Sequence, residues 1–197
     1  MAKATEPAEG ARLARPKRAL GRTVALIGLM GAGKSAVGRR LAAALSAPFR
    51  DSDDEIERAA AMRIPEIFER YGERYFREGE RRVIARLLRD PPHVLATGGG
   101  AFMAADTRAL LQSRAHVVWL RADLDTLAAR CGRRDDRPLL KHGDVRETLG
   151  RLIELRYPVY EEAESVVDSM DGPHAAVVDA VLARLEAAGD APPRRRR

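Results

Sequence analysis

Gly28-Leu29-Met30-Gly31-Ala32-Gly33-Lys34-Ser35 is the stretch that decides the fold of this 197-residue chain. It matches the pattern G-x-x-x-x-G-K-[ST], and its surroundings are those the pattern needs. Before it stands Val24-Ala25-Leu26-Ile27, an apolar run typical of a strand buried on both faces. After it the spacing predicts a helix from about Lys34 to Ser46, with Val37, Leu41 and Leu45 four apart on one face and Pro48 ending it. Strand, glycine loop and helix together build an anion site. Backbone N–H groups and the helix N-terminus surround phosphates, glycines keep side chains out of the way, Lys34 reaches the β/γ-phosphates and Ser35 can ligate Mg²⁺.

Further along, apolar runs alternate with helical patterns. Phe49-Arg50 leads into Asp51-Ser52-Asp53, a strand end, and helices are expected over about 54–61, 65–71 and 73–89. Pro65 suits a first helical position and Gly72 a C-terminal cap. Phe76, Val83, Leu87 and Leu88 face inward on the third of these helices, and Pro91-Pro92 stop it. His93 to Thr97 reads as a strand entering Gly98-Gly99-Gly100, and His116 to Leu120 as a strand followed by a helix capped by Asp123. Residues 132–143 lack apolar periodicity and read as a mobile loop. Asp144 caps a helix reaching about Tyr157, Ser165 to Asp168 is a last strand, and 174–188 a last helix. The alternation predicts an α/β fold of three layers, a parallel sheet between helices. Ligand-binding loops then gather at the C-terminal ends of the strands.

Composition narrows the function. Residues 1–22 carry a net +4 and Arg194 to Arg197 another +4, which leaves the stretch between them at −2 out of the formal total of +6. The basicity belongs to the ends, so no basic nucleic-acid-binding face is expected on the body. Residues 1–22 are expected to be a disordered basic extension, 23–189 the folded domain and 190–197 a basic tail. The single cysteine, Cys131, fits a reducing compartment, and no apolar run is long enough for a transmembrane helix. The expectation is a cytoplasmic monomer with neither nucleic acid nor membrane as partner.

Several residues beyond the loop could carry chemistry, each with a plainer alternative. Asp51 and Asp53, at i and i+2 on an extended segment, point the same way; one could serve Mg²⁺ through water and the other accept a hydroxyl proton, or they could simply cap the next helix. Glu80, one turn after Arg77, could orient its guanidinium or form a surface ion pair. Gly98 to Gly100 offer bare backbone to a ligand or a flexible turn. Arg130, Arg133, Arg134 and Arg137, around the loop, suit closure over phosphates or simple solvation. Arg156 could bind an anion or cap its helix. His93, His116, His142 and His174 show no metal-ligand spacing.

Taken together and in order, these pieces resemble the shikimate kinase family over Val24 to about Val167. The pieces are the Gly-Ala-Gly-Lys-Ser loop, Asp-Ser-Asp, Phe76-Arg77 with Glu80, Gly98-Gly99-Gly100, Arg137-Pro138-Leu139-Leu140 and Arg156-Tyr157-Pro158-Val159-Tyr160. The resemblance implies an open five-stranded parallel sheet of the nucleoside-monophosphate-kinase type with a mobile lid. It implies transfer of the ATP γ-phosphoryl to the 3-hydroxyl of shikimate, with Mg²⁺. It assigns Gly31, Ala32, Gly33, Lys34, Ser35 and Ala36 to the ATP phosphates and Asp51 to the metal through water. Asp53 becomes the base that also holds ring hydroxyls; Arg77 and Arg156 clamp the substrate carboxylate, with Glu80 orienting Arg77. Gly98, Gly99 and Gly100 contact the substrate, and Phe68 and Phe76 wall its pocket. Arg137 reaches the transferring phosphoryl and Arg130 flanks the adenine. One departure is Met170-Asp171-Gly172-Pro173-His174, where the family often carries an Arg/Asn/Pro stretch beside the adenine. The rivals are another small-molecule kinase, such as a gluconate kinase, and a non-catalytic nucleotide-binding module.

Overall fold

A computed structural model describes residues 20–132, 144–169 and 172–190. Arg137 and the rest of 133–143, the segment expected to be a mobile lid, lie outside the described residues, as do Met170 and Asp171 and the terminal segments 1–19 and 191–197 expected to be basic extension and tail.

Strand β1 (Thr23–Ile27) is buried along its whole length, which is why its sequence runs apolar without alternation. It lies at the centre of a five-stranded parallel sheet of order β2-β3-β1-β4-β5. The other strands are β2 (Phe49–Asp51), β3 (Val94–Ala96), β4 (Ala115–Arg121) and β5 (Ser165–Asp168). Register pairs Leu26 with Ala96 on one side and with Val118 on the other. Every strand therefore ends on the same edge, and Ile27, Asp51, Ala96, Arg121 and Asp168 deliver their loops there.

Helices cover both faces. Helix α1 (Lys34–Leu45) buries Val37, Leu41 and Leu45, the stripe expected from sequence. Helix α5 (Leu124–Cys131) begins at Asp123, whose carboxylate accepts from Thr126 N–H, and α6 (Val145–Tyr160) begins at Asp144, which accepts from Arg146 N–H. Both caps were legible in sequence. Helix α7 (His174–Ala187) closes the chain's last α/β unit. Trp119, Tyr160 and Phe102 are the largest fully buried side chains among the described residues.

One boundary falls as read from the sequence, and two local differences have physical causes. Residues 64–87 form one helical run, α3 (Ile64–Leu87), but Gly72 interrupts it with φ 76° and ψ 175°, so the expected break falls where it was placed. Helix α2 (Ser52–Ala60) starts earlier than expected, directly after Asp51. The extended i, i+2 geometry assumed for Asp51 and Asp53 is therefore wrong: Asp51 ends the strand and caps the helix, and Asp53 sits in its first turn. Helix α4 (Ala105–Arg114), preceded by a 3-10 turn at Ala101–Met103, had no sequence signal; it buries only Thr107 and Leu111, too few for a visible stripe.

The body also reaches slightly farther than the expected boundaries. Arg22 Nε binds Asp190 Oδ1 at 2.9 Å, and Leu20 is buried. His116, wholly buried, contacts Asp190 Oδ2 at 2.7 Å and Ser165 Oγ at 2.8 Å. His116, Glu164 and Asp190 bring three potential metal-ligating atoms together, but Arg22 pairs with both carboxylates and offsets half of their charge. No helix among the described residues is long and apolar enough to cross a membrane.

Candidate active site

The loop between β1 and α1 turns through Gly28, Gly31 and Gly33, all at positive φ. At Gly28 the need for glycine is absolute, because a Cβ there would meet the Leu120 carbonyl at 2.6 Å. Gly33 precedes α1 without any side-chain cap, so the helix N-terminus presents bare amides. Lys34 Nζ donates to the Gly28 and Leu29 carbonyls at 2.8 and 3.0 Å, holding the ammonium against the loop it serves.

At the adjacent strand end, Ser35 Oγ donates to Asp51 Oδ2 at 2.7 Å, while Asp51 Oδ1 accepts from Asp53 N–H at 3.2 Å. One carboxylate thus caps α2 and meets the first turn of α1. Asp53, one helical step on, has its carboxyl pushed up to about 6. Burial is the main cause and the charge of Asp51 adds to it, while Lys34 works against both.

The glycine turn after β3 brings the remaining groups together. Ser52, buried completely, accepts from Gly98 N–H at 2.9 Å and so ties this turn to the start of α2. A Cβ on Gly98 would meet Glu80 Oε1 at 2.7 Å and Asp53 Oδ1 at 2.9 Å. A Cβ on Gly100 would lie 2.5 Å from Arg77 Nη2. Asp53, Glu80 and Arg77 therefore close directly on the bare backbone of 98–100. Arg77 Nη1 donates to Glu80 Oε2 at 2.7 Å, and Arg77 also reaches Glu73 at 3.2 Å. Glu80 is only 3% exposed, and its Oε1 has no hydrogen-bond partner among the described residues. Burial raises its carboxyl, with Arg77 opposing. The surface-pair alternative for Arg77 and Glu80 thus fails on burial. From the opposite side, Arg156 Nη1 donates to the Gly99 carbonyl at 2.9 Å, and the Tyr160 hydroxyl donates to the same oxygen. Phe68 and Phe76 stack with ring centroids 4.6 Å apart, and the Arg77 guanidinium lies over Phe76 at 5.1 Å.

This arrangement sets an uncapped helix N-terminus near a half-buried carboxylate of raised pKa, with two guanidiniums at the adjoining glycine turn. Comparison with known proteins agrees. A family model described as shikimate kinase matches residues 30–186. The chain belongs to the shikimate kinase family. A shikimate kinase of Caulobacter vibrioides is 56% identical over 167 residues, covering 85% of this chain and 84% of its own length. A solved shikimate kinase from Acinetobacter baumannii in complex with shikimate superposes with a TM-score of 0.82 at 38% identity, covering 85% and 94% of the two chains. A gluconokinase from Sinorhizobium meliloti shares the fold at 20% identity and a TM-score of 0.62, over 87% and 95%.

Within this shikimate kinase frame, the structure brings together Gly31, Ala32, Gly33, Lys34, Ser35 and Ala36 at the loop, and Asp53, Arg77, Gly98, Gly99, Gly100 and Arg156 at the glycine turn. Asp51 links the two groups. Arg130 approaches the loop from α5, its Nη1 3.3 Å from the Gly31 carbonyl. Ser52, Glu73 and Tyr160 were not singled out in sequence as parts of the site. Tyr160 had a signal of a kind, since it closes the Arg156–Tyr160 segment. The Ser35 hydroxyl and the Asp51 carboxylate form an all-oxygen donor set at a helix N-terminus, which suits the hard cation Mg²⁺.

Proposed function

We propose that the chain transfers the γ-phosphoryl of Mg-ATP to the 3-hydroxyl of shikimate, giving shikimate 3-phosphate and ADP on the route to chorismate. The observation that carries the reading is the convergence of Asp53, Arg77, Glu80 and Arg156 on the Gly98–Gly100 backbone. A phosphate loop alone would serve any acceptor. Two guanidiniums and the half-buried Asp53 carboxylate around one glycine turn suit an acceptor that carries both a carboxylate and hydroxyls.

In this reading the loop amides and Lys34 hold the phosphates, and Ser35 with Asp51 through water would hold Mg²⁺, which neutralises phosphate charge when bound. Arg77 and Arg156 take the acceptor's carboxylate, where a planar guanidinium binds in bidentate geometry. Glu80, anchored to one Arg77 nitrogen, leaves the rest of that guanidinium in a fixed direction. Asp53 receives the proton of the 3-hydroxyl as its oxygen bonds to the γ-phosphorus; the bond from phosphorus to the β,γ-bridging oxygen breaks, and ADP departs. Phosphoryl transfer needs charge neutralisation and alignment more than covalent help. Arg137 is assigned to the phosphoryl in flight by the family resemblance alone.

A coupled ADP-release assay with shikimate, quinate and gluconate tests the acceptor. Turnover is expected with shikimate at least tenfold above either alternative; equal or faster turnover with gluconate would sink the reading. A second expectation concerns binding against chemistry. Arg156→Ala should raise KM for shikimate by about tenfold or more, the loss of one charge-assisted contact, and leave KM for ATP nearly unchanged. Steady-state kinetics varying each substrate decide it: a variant that weakens ATP alone places Arg156 at the nucleotide and removes the carboxylate clamp.

A further inference from the structure

The carbonyls of the phosphate loop are as constrained as its amides. Lys34 holds those of Gly28 and Leu29, and Arg130 approaches that of Gly31. The carbonyl of Ala32 accepts from Ser169 Oγ at 2.9 Å. Ser169 is the first residue after β5 and is completely buried. Its hydroxyl also accepts from Arg130 Nη1 at 3.2 Å, its carbonyl accepts from the same nitrogen at 3.2 Å, and its N–H donates to the Arg121 carbonyl at 2.6 Å. One small residue, through its hydroxyl and its backbone, therefore joins the ends of β4 and β5, the last turn of α5 and the phosphate loop. Both capacities of its hydroxyl, donor and acceptor, are in use.

The Ala32–Gly33 peptide is trans, and a trans peptide carries its C=O and N–H on opposite sides. A carbonyl drawn toward Ser169 therefore aims the Gly33 N–H away from Ser169. That amide is the last one before α1, at the helix end suited to phosphate. We propose that Ser169 is a positioning residue for the nucleotide. It sets the Ala32–Gly33 peptide plane for phosphate and braces the Arg130 guanidinium, so that the phosphate grip and the base-side arginine move as one unit. This inference rests on the nucleotide reading of the loop and adds a residue to it.

The test is the affinity for ADP, measured by titration calorimetry, beside KM for shikimate at saturating ATP, in the parent, Ser169→Ala and Ser169→Thr. Removing the hydroxyl leaves the Ala32 carbonyl unpaired and frees its peptide plane. The Kd for ADP should rise about tenfold in Ser169→Ala, with KM for shikimate within about twofold of the parent. Ser169→Thr, which keeps the hydroxyl, should restore ADP binding to within about threefold. An alanine variant that binds ADP like the parent, whatever its melting temperature, overturns the proposal. So does an equal weakening toward both substrates, which would mark general loosening, and so does a selective loss that threonine does not reverse. A parent that binds no ADP at all fails the nucleotide reading itself, before the variants are compared.

Discussion

Lys34→Met lowers kcat by about 10²-fold or more, because it deletes a positive charge aimed at the phosphates where negative charge builds up during transfer. Methionine keeps most of the side chain's length and apolar stem, so the loss isolates the ammonium. The variant also leaves the Gly28 and Leu29 carbonyls without their donor. Those carbonyls belong to the loop after β1 rather than to the strand pairing of the sheet, so the sheet is expected to survive. Circular dichroism and thermal melting check that the fold is retained, and single-turnover rates isolate chemistry from ADP release. A folded variant within a few-fold of the parent would remove Lys34 from the mechanism.

Asp53→Asn lowers kcat by about 10²-fold to 10⁴-fold, the range typical of a lost general base. The pH dependence supplies an independent check. Burial and the neighbouring Asp51 charge hold the Asp53 carboxyl near 6, above its ordinary range. Below that pH the group is protonated and cannot accept the hydroxyl proton. For the parent, kcat/KM for shikimate is therefore expected to fall tenfold per pH unit below about 6 and to level off above it. Asp53→Asn should lose that limb altogether, since asparagine does not titrate. A parental profile flat between pH 5 and 7 would contradict the role of Asp53 as base, although not its role in holding the acceptor.

Much of this was readable in advance, for identifiable reasons. β1 and β4 are buried on both faces along nearly all their length, so their sequences are apolar apart from Thr23, His116 and Arg121 and need no partner information to be recognised. The helix stops and starts at Gly72, Asp123 and Asp144 are local chemistry, and they fall where expected. The strand end at Asp51 was misjudged because β2 is three residues long and its cap belongs to the helix that follows. Helix α4 stayed hidden because its buried positions are only Thr107 and Leu111.

Within the site, the residues visible in sequence are those proposed to meet ligand through their side chains: Lys34, Asp53, Arg77, Arg156. Those that escaped notice act on backbone atoms far along the chain. Ser52 holds the Gly98 amide 46 residues away, Tyr160 the Gly99 carbonyl 61 away, and Ser169 the Ala32 carbonyl 137 away. A main-chain carbonyl has no residue type, so such a contact leaves no spacing to read. The scaffold of the site is consequently less legible than its chemistry.

The central claim is the identity of the acceptor and the hydroxyl that receives the phosphoryl. Phosphorus–proton correlation NMR on the product of Mg-ATP, shikimate and the purified chain tests it directly. One new phosphate monoester is expected, its phosphorus coupled to the proton on C3, formed in step with ADP. A phosphate on another carbon, or ADP released with shikimate unchanged, would contradict it.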